Sequence, residues 1–203
     1  PQLHKWLQGV SAPTLRQLEE FARATATPFG YLFLEEPPEE PLPIPHFRTR
    51  DDQAPCRPSP DLLETVYALQ RRQAWLREYL EREGEEPLPF VRSATVHEPP
   101  QAVAARMRDV LKLQPGWAQA HPTWTAALAE LRRRMEDRGI TVVVTGIVGN
   151  NTRRKLKPAE FRGFVLVDEY APFVFVNGAD GKAAQMFTLA HELAHVWLGS
   201  SAV

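Results

Sequence analysis

Residues 185–199 read QMFTLAHELAHVWLG, and the remainder of the chain takes its meaning from them. They contain His191-Glu192-Leu193-Ala194-His195, an H-E-x-x-H motif, in a segment expected to be one helix with Asp180 as its cap and Gly199 at its end. At about 3.6 residues per turn, positions four apart lie one above the other. His191 and His195 therefore leave the helix from one face, at a spacing that suits two imidazole nitrogens on one Zn²⁺. Glu192 lies about a quarter turn round, beside the metal without having to bind it, where it can take a proton from water. Phe187, Leu189, Ala190, Leu193, Ala194, Val196 and Trp197 make the helix apolar nearly all round, which predicts burial. Three ionisable side chains in a buried helix are costly unless they are paired or coordinated, and a metal supplies that compensation. The plainer reading is a buried helix whose histidines only hydrogen-bond to backbone. A catalytic zinc takes three protein ligands, and the motif supplies two. The chain ends at Val203, so the 203 residues by themselves are expected to hold zinc weakly or not at all, and not to cleave peptides.

Upstream of the motif the period of the apolar residues changes from helical to alternating. Ile140 to Val144 is a short β-branched run, which Ile147-Val148 extends. Asn150 to Lys157 is a polar, basic loop. Arg162 to Val167 and Phe173 to Asn177 are further strands, joined by a turn at Asp168 to Pro172. The expected fold is α+β and mostly helical, with a small antiparallel sheet packed on the H-E-x-x-H helix in the manner of a zincin. An edge strand beside the metal can hold an extended peptide by sheet addition. Phe173, Val174, Phe175, Val176 and Asn177 are the candidates for that role, or else form an interior strand. Tyr170 or Arg162 can steady the oxyanion of a tetrahedral transition state, with no choice between them.

Further out the chain is helical and polar by turns. Leu62, Leu63, Val66, Leu69, Trp75, Leu76, Tyr79 and Leu80 predict a long helix over 61–83, started by Ser59 or Asp61 and ended by Gly84. Helices over 100–113 and 124–137 follow the same logic. Residues 85–98 are irregular, and His97-Glu98 has no spacing that favours a metal. Arg132-Arg133-Arg134 spreads over most of a helix circumference and reads as a solvated face. Residues 35–60 are a Pro/Glu-rich linker, extended and stiff, in which His46 to Thr49 can dock onto the next domain. Before it, Thr14 caps an amphipathic helix with Gln17 three residues on, and Phe29 to Phe33 closes a small helical unit. The domain reading is thus 1–34, linker 35–60, a long helix and connector over 61–98, and a peptidase-like domain over 99–203.

Bulk properties narrow the classes. A hydrophobic fraction of 43% supports a real core, and a net charge of −1 argues against a chain that coats nucleic acid. The one cysteine, Cys56, lies in a Pro-rich stretch, reads as inert, and leaves no internal disulfide. No apolar run approaches the ~18 residues of a membrane span and no signal peptide opens the chain, so the expected location is the cytoplasm.

Three stretches resemble the ImmA/IrrE family of metallopeptidases. They are Gly9 to Arg50, with Pro13-Thr14-Leu15 and Pro28-Phe29-Gly30-Tyr31-Leu32-Phe33; Asn150 to Phe164; and Phe187 to Gly199. The first also resembles the tail of a Cro/repressor-type helix-turn-helix domain, through Trp6-Leu7-Gln8-Gly9, Pro13 to Leu18 and Phe21-Ala22. The resemblance implies that His191 and His195 bind zinc, that Glu192 is the general base, and that the third ligand is an acidic residue on a helix beyond Val203. The chain then reads as truncated at both ends. The family's work is regulatory: a zinc endopeptidase that cleaves a repressor or other transcription factor in a stress response, or an antitoxin paired with a toxin. The implied partners are a protein substrate or cognate toxin, with DNA bound by a complete parent and poorly by this chain. A homodimer is a further expectation, because the motif helix is left without its next neighbour. The competing expectation is a non-catalytic antitoxin or transcriptional regulator that keeps the zincin fold for protein interaction.

Overall fold

The computed structural model describes residues 2–36, 38, 43–44 and 58–200. Most of the expected linker, including His46 to Thr49 and Cys56, lies outside the described residues. The chain divides into two compact units, Pro1–Pro41 and Leu42–Val203.

The first unit holds α1 (Gln2–Leu7), α2 (Leu15–Thr25) and a 3-10 turn over Phe29–Phe33. Thr14 caps α2 through a complete capping box with Gln17, as its sequence predicts. The expected apolar face is only partly covered: Ala22 is buried while Leu15 and Phe33 stay exposed. Phe29 and Phe33 meet edge to face at 5.2 Å.

In the second unit a sheet lies between helices. α3 (Pro60–Glu83) starts at Ser59, whose side chain accepts from the Leu62 N–H, and ends at Gly84 in the left-handed conformation. α4 (Pro100–Leu111) and α5 (Trp124–Glu136) follow. The strands are β1 (Thr141–Thr145), β2 (Ile147–Val148), β3 (Asn151–Lys155), β4 (Gly163–Leu166) and β5 (Phe173–Asn177), and α6 (Lys182–Leu198) closes the unit. The fold is α+β, as expected. The main sheet, in the order β1-β5-β4, is mixed and not wholly antiparallel: β5 runs parallel to β1 and antiparallel to β4. Ile147-Val148 does not extend β1. It pairs instead with β3 in a separate hairpin, so the stretch expected to be a basic loop contains a strand.

Side chains alternate across the sheet with the period of two that strand geometry imposes. Val142, Val165, Val174 and Val176 face Leu189 and Leu193 of α6 and Leu128 and Leu131 of α5. Phe164, Leu166, Phe173 and Phe175 face Leu62, Val66 and Leu69 of α3. α3 buries only its N-terminal half, and Trp75 and Tyr79, expected to face inward, stack on each other at its surface. Among the described residues no helix is long and apolar enough to cross a membrane.

Candidate active site

α6 carries the motif, and its ends are fixed by different means. The N-cap is Gly181 and not Asp180, whose Oδ1 accepts from the Gly181 N–H. The Gln185 side chain reaches back to donate to the carbonyls of Gly178 and Asp180. At the other end Gly199 adopts φ 78°, and its N–H donates to the His195 carbonyl. The Arg92 and Ala94 N–H groups donate to the Val196 and Trp197 carbonyls, so the last turn is tied to the 88–94 segment. Burial is one-sided and not complete as expected: Leu189, Glu192, Leu193, Val196 and Trp197 face inward, while Phe187 is 72% exposed and Ala190 and His191 are open.

The two histidines converge. Their Nε2 atoms are 3.3 Å apart. Two nitrogens each about 2.0–2.1 Å from one tetrahedral ion are separated by about 3.3–3.4 Å, so the pair already has the span of a shared ligand edge. His195 Nδ1 lies 3.2 Å from Ser200 Oγ. When Nδ1 carries the proton and donates to that hydroxyl, Nε2 turns its lone pair toward His191, which is the outer partner a metal-binding imidazole needs. Burial lowers the His195 pKa, and the nearby His191 lowers it further, so the neutral form is favoured. Among the described residues no cluster of three or more His, Cys, Asp or Glu side chains is placed to complete a metal site.

Glu192 is 4% exposed, and its Oε2 has no hydrogen-bond partner. Burial pushes its pKa up to about 8. A buried carboxylate without a donor calls for a proton or a nearby cation. The donor set of two imidazoles with an adjoining orphaned carboxylate fits a zinc centre, with the histidines as ligands and Glu192 as neighbour.

Gly163 explains how that carboxylate comes so close to the sheet. A Cβ at this position would lie 2.5 Å from Thr188 Cγ2, 2.7 Å from the Phe175 carbonyl and 3.4 Å from Glu192 Cγ. The missing side chain lets α6 press the turn that carries Thr188 and Glu192 against β4. Neither Gly163 nor Ser200 stands among the residues that sequence reasoning selects. A glycine inside a strand is itself a signal of close backbone approach; Ser200 carries no comparable mark.

The proposed substrate strand needs correction. β5 lies between β1 and β4, so both its edges are taken and it has no free backbone to add a peptide. Phe173, Val174, Phe175, Val176 and Asn177 are all buried. Asn177 uses its side chain to bond the Phe161 carbonyl and the Ala179 N–H. Of the two oxyanion candidates, Arg162 approaches Asp180 at 3.6 Å, near the start of α6. Tyr170 lies in the turn organised by Asp168, with the Arg77 guanidinium of α3 over its ring. Glu98 is held by Arg106 and by the Thr95 N–H, in keeping with a structural role.

Residues 135–202 match the family model Peptidase_M78, the IrrE N-terminal-like domain. The match takes in the five strands and α6, about a third of the chain, and so covers the histidine pair, Glu192, Gly163 and Ser200. Neither the curated proteins nor the solved structures give a match.

Proposed function

We propose that the second unit is a zinc-dependent peptidase module of regulatory type, acting on a repressor or other transcription factor. The observation that carries this reading is the 3.3 Å approach of the His191 and His195 Nε2 atoms beside a buried carboxylate that has an orphaned oxygen. The family match over the same residues supports it. His191 and His195 would hold the ion, which when bound supplies Lewis-acid polarisation of a carbonyl and acidifies water. Glu192 accepts the proton of the attacking water and delivers it to the leaving amine. Ser200 holds the His195 ring in the orientation that binding requires. Among the described residues β4 is an outer strand of the main sheet, and its four residues are buried. The bond from the Asn177 N–H to the Arg162 carbonyl turns Arg162, Phe164 and Leu166 toward β5. In antiparallel pairing the alternate residues, Gly163 and Val165, then direct their N–H and C=O groups away from β5.

A second reading is a non-catalytic regulator or antitoxin that uses the same fold for interaction. It is favoured by the absence, among the described residues, of a third metal-ligating side chain at the site. Glu192→Gln separates the two. For a peptidase, the substitution lowers cleavage of the target protein by roughly 10²–10⁴-fold while zinc content stays constant. Undiminished cleavage, or an undiminished regulatory effect in cells carrying the variant, would refute the peptidase reading. His191→Ala should lower whatever zinc the purified protein retains in metal analysis.

A further inference from the structure

A cavity of about 600 Å³ opens against the motif helix, between α4, the 3-10 turn at Trp117–Ala120, α5 and α6. This size falls in the range of roughly 300–1,000 Å³ typical of ligand pockets. Its walls are apolar: Val103 and Met107 come from α4, Trp117 from the turn, Leu131 from α5, and Leu193 from α6. Ala190 and Ala194 also line it. Each immediately precedes a motif histidine, so the cavity meets α6 about a quarter turn round from the histidine pair. On the histidine face Phe187, 72% exposed, stacks on the His191 ring with centroids 6.3 Å apart. At the rim Val96 is 78% exposed.

The polar groups of the cavity are not equivalent. Glu98 is already answered by Arg106 at 2.7 Å and by the Thr95 N–H at 2.8 Å. Arg108, which also lines the cavity, has no ion pair among the described residues. The opening therefore offers an apolar interior and one uncompensated positive charge. Most of the wall, from Thr95 to Leu131, precedes the stretch matched by the family model. The cavity is thus built by this chain's own helices and not by the matched module alone.

We propose that this cavity receives a large apolar side chain of the substrate polypeptide, close to the peptide group presented to His191 and His195, with Arg108 favouring an acidic residue nearby. The word substrate rests on the peptidase reading; the binding itself does not. The position of the cavity on the helix that carries the histidines, with Ala190 and Ala194 each next to one of them, favours a side chain of the bound polypeptide over a separate small molecule. The charge of Arg108 favours an acidic neighbour.

The test uses the full chain carrying Glu192→Gln, loaded with zinc, and blocked peptides identical except for Phe, Leu or Ala at one position. Binding is followed by the emission of Trp117, with Trp117→Phe as the control for its origin. The Phe and Leu peptides should bind roughly ten- to a hundredfold more tightly than the Ala peptide. Ala104→Phe, which fills the cavity from α4 and away from the histidines, should erase that preference and leave zinc content unchanged. Met107→Ala, which enlarges the cavity, should weaken the preference several-fold and serves if the first variant does not fold. Equal affinity for the three peptides would overturn the proposal, as would a preference unaltered by the cavity variant that folds. A peptide preference without cleavage by the unmodified chain removes the peptidase reading and leaves the cavity assignment standing. Cleavage without any apolar preference does the reverse.

Discussion

Against α3 the sheet presents aromatic rings: Phe164 and Phe175 stack at 4.8 Å, and Phe161 tilts against both. Against α6 it presents Val165, Val174 and Val176, and at position 163 no side chain at all. The first face is closed, and the amide that α3 inserts there is satisfied: the Gln73 side chain donates to the Leu166 and Ala171 carbonyls. The second admits a carboxylate with an oxygen that nothing in the described chain answers. The same alternating strands thus support two different tasks, close packing on one side and tolerated polarity on the other. Stability should be concentrated where the rings are, and chemistry where the glycine is.

Substitutions on the two faces test that division. Phe164→Ala removes a fully buried ring and should cost about 3–5 kcal/mol in denaturant unfolding. Activity per folded molecule should be retained; loss of activity at unchanged stability would break the division. Gly163→Ala should cost less, about 1–3 kcal/mol, because the new methyl meets Thr188 and the Phe175 carbonyl. Its larger consequence is displacement of Glu192, so cleavage should fall further than the unfolded fraction explains. A variant with normal turnover would show that close approach at this point is dispensable.

A third effect is in pH dependence. In the metal-free protein the Glu192 pKa is raised from 4.5 to about 8 by burial. The folded chain keeps this proton where the unfolded chain has released it. Stability should therefore be greatest below about pH 4.5 as far as this group is concerned, and fall through the window up to about 8. The slope is at most about 1.4 kcal/mol per pH unit. Thermal melts of the metal-free protein across that window should show the decline, and Glu192→Gln should flatten it. An identical decline in the variant would assign the effect to other groups.

Much of this architecture is written locally in the chain. Thr14, Ser59, Gly84 and Gly199 mark helix ends because their chemistry is that of caps, and the motif spacing alone predicts that His191 and His195 converge. The alternation at 163–166 and 173–177 identifies strands. What periodicity does not carry is strand order, so the mixed sheet was not legible. Phe173 to Val176 nevertheless held a clue: a strand apolar at every position is covered on both faces and suits an interior place. β3 was missed because Asn151 to Lys155 is polar throughout and gains its conformation from pairing with β2. The apolar circumference of α6 overstated its burial, since composition does not say which face lacks a neighbour. Gly163 was visible as a letter, but its role depends on Thr188 and Glu192, which only the fold brings to it.

The amides of Arg92 and Ala94 bond to carbonyls in the final turn of α6, one and two residues past His195. Isotope exchange at these two positions should slow or quicken with the order of that turn, although neither belongs to the motif. They offer a spectroscopic gauge of the centre that requires no label on it and no change to it.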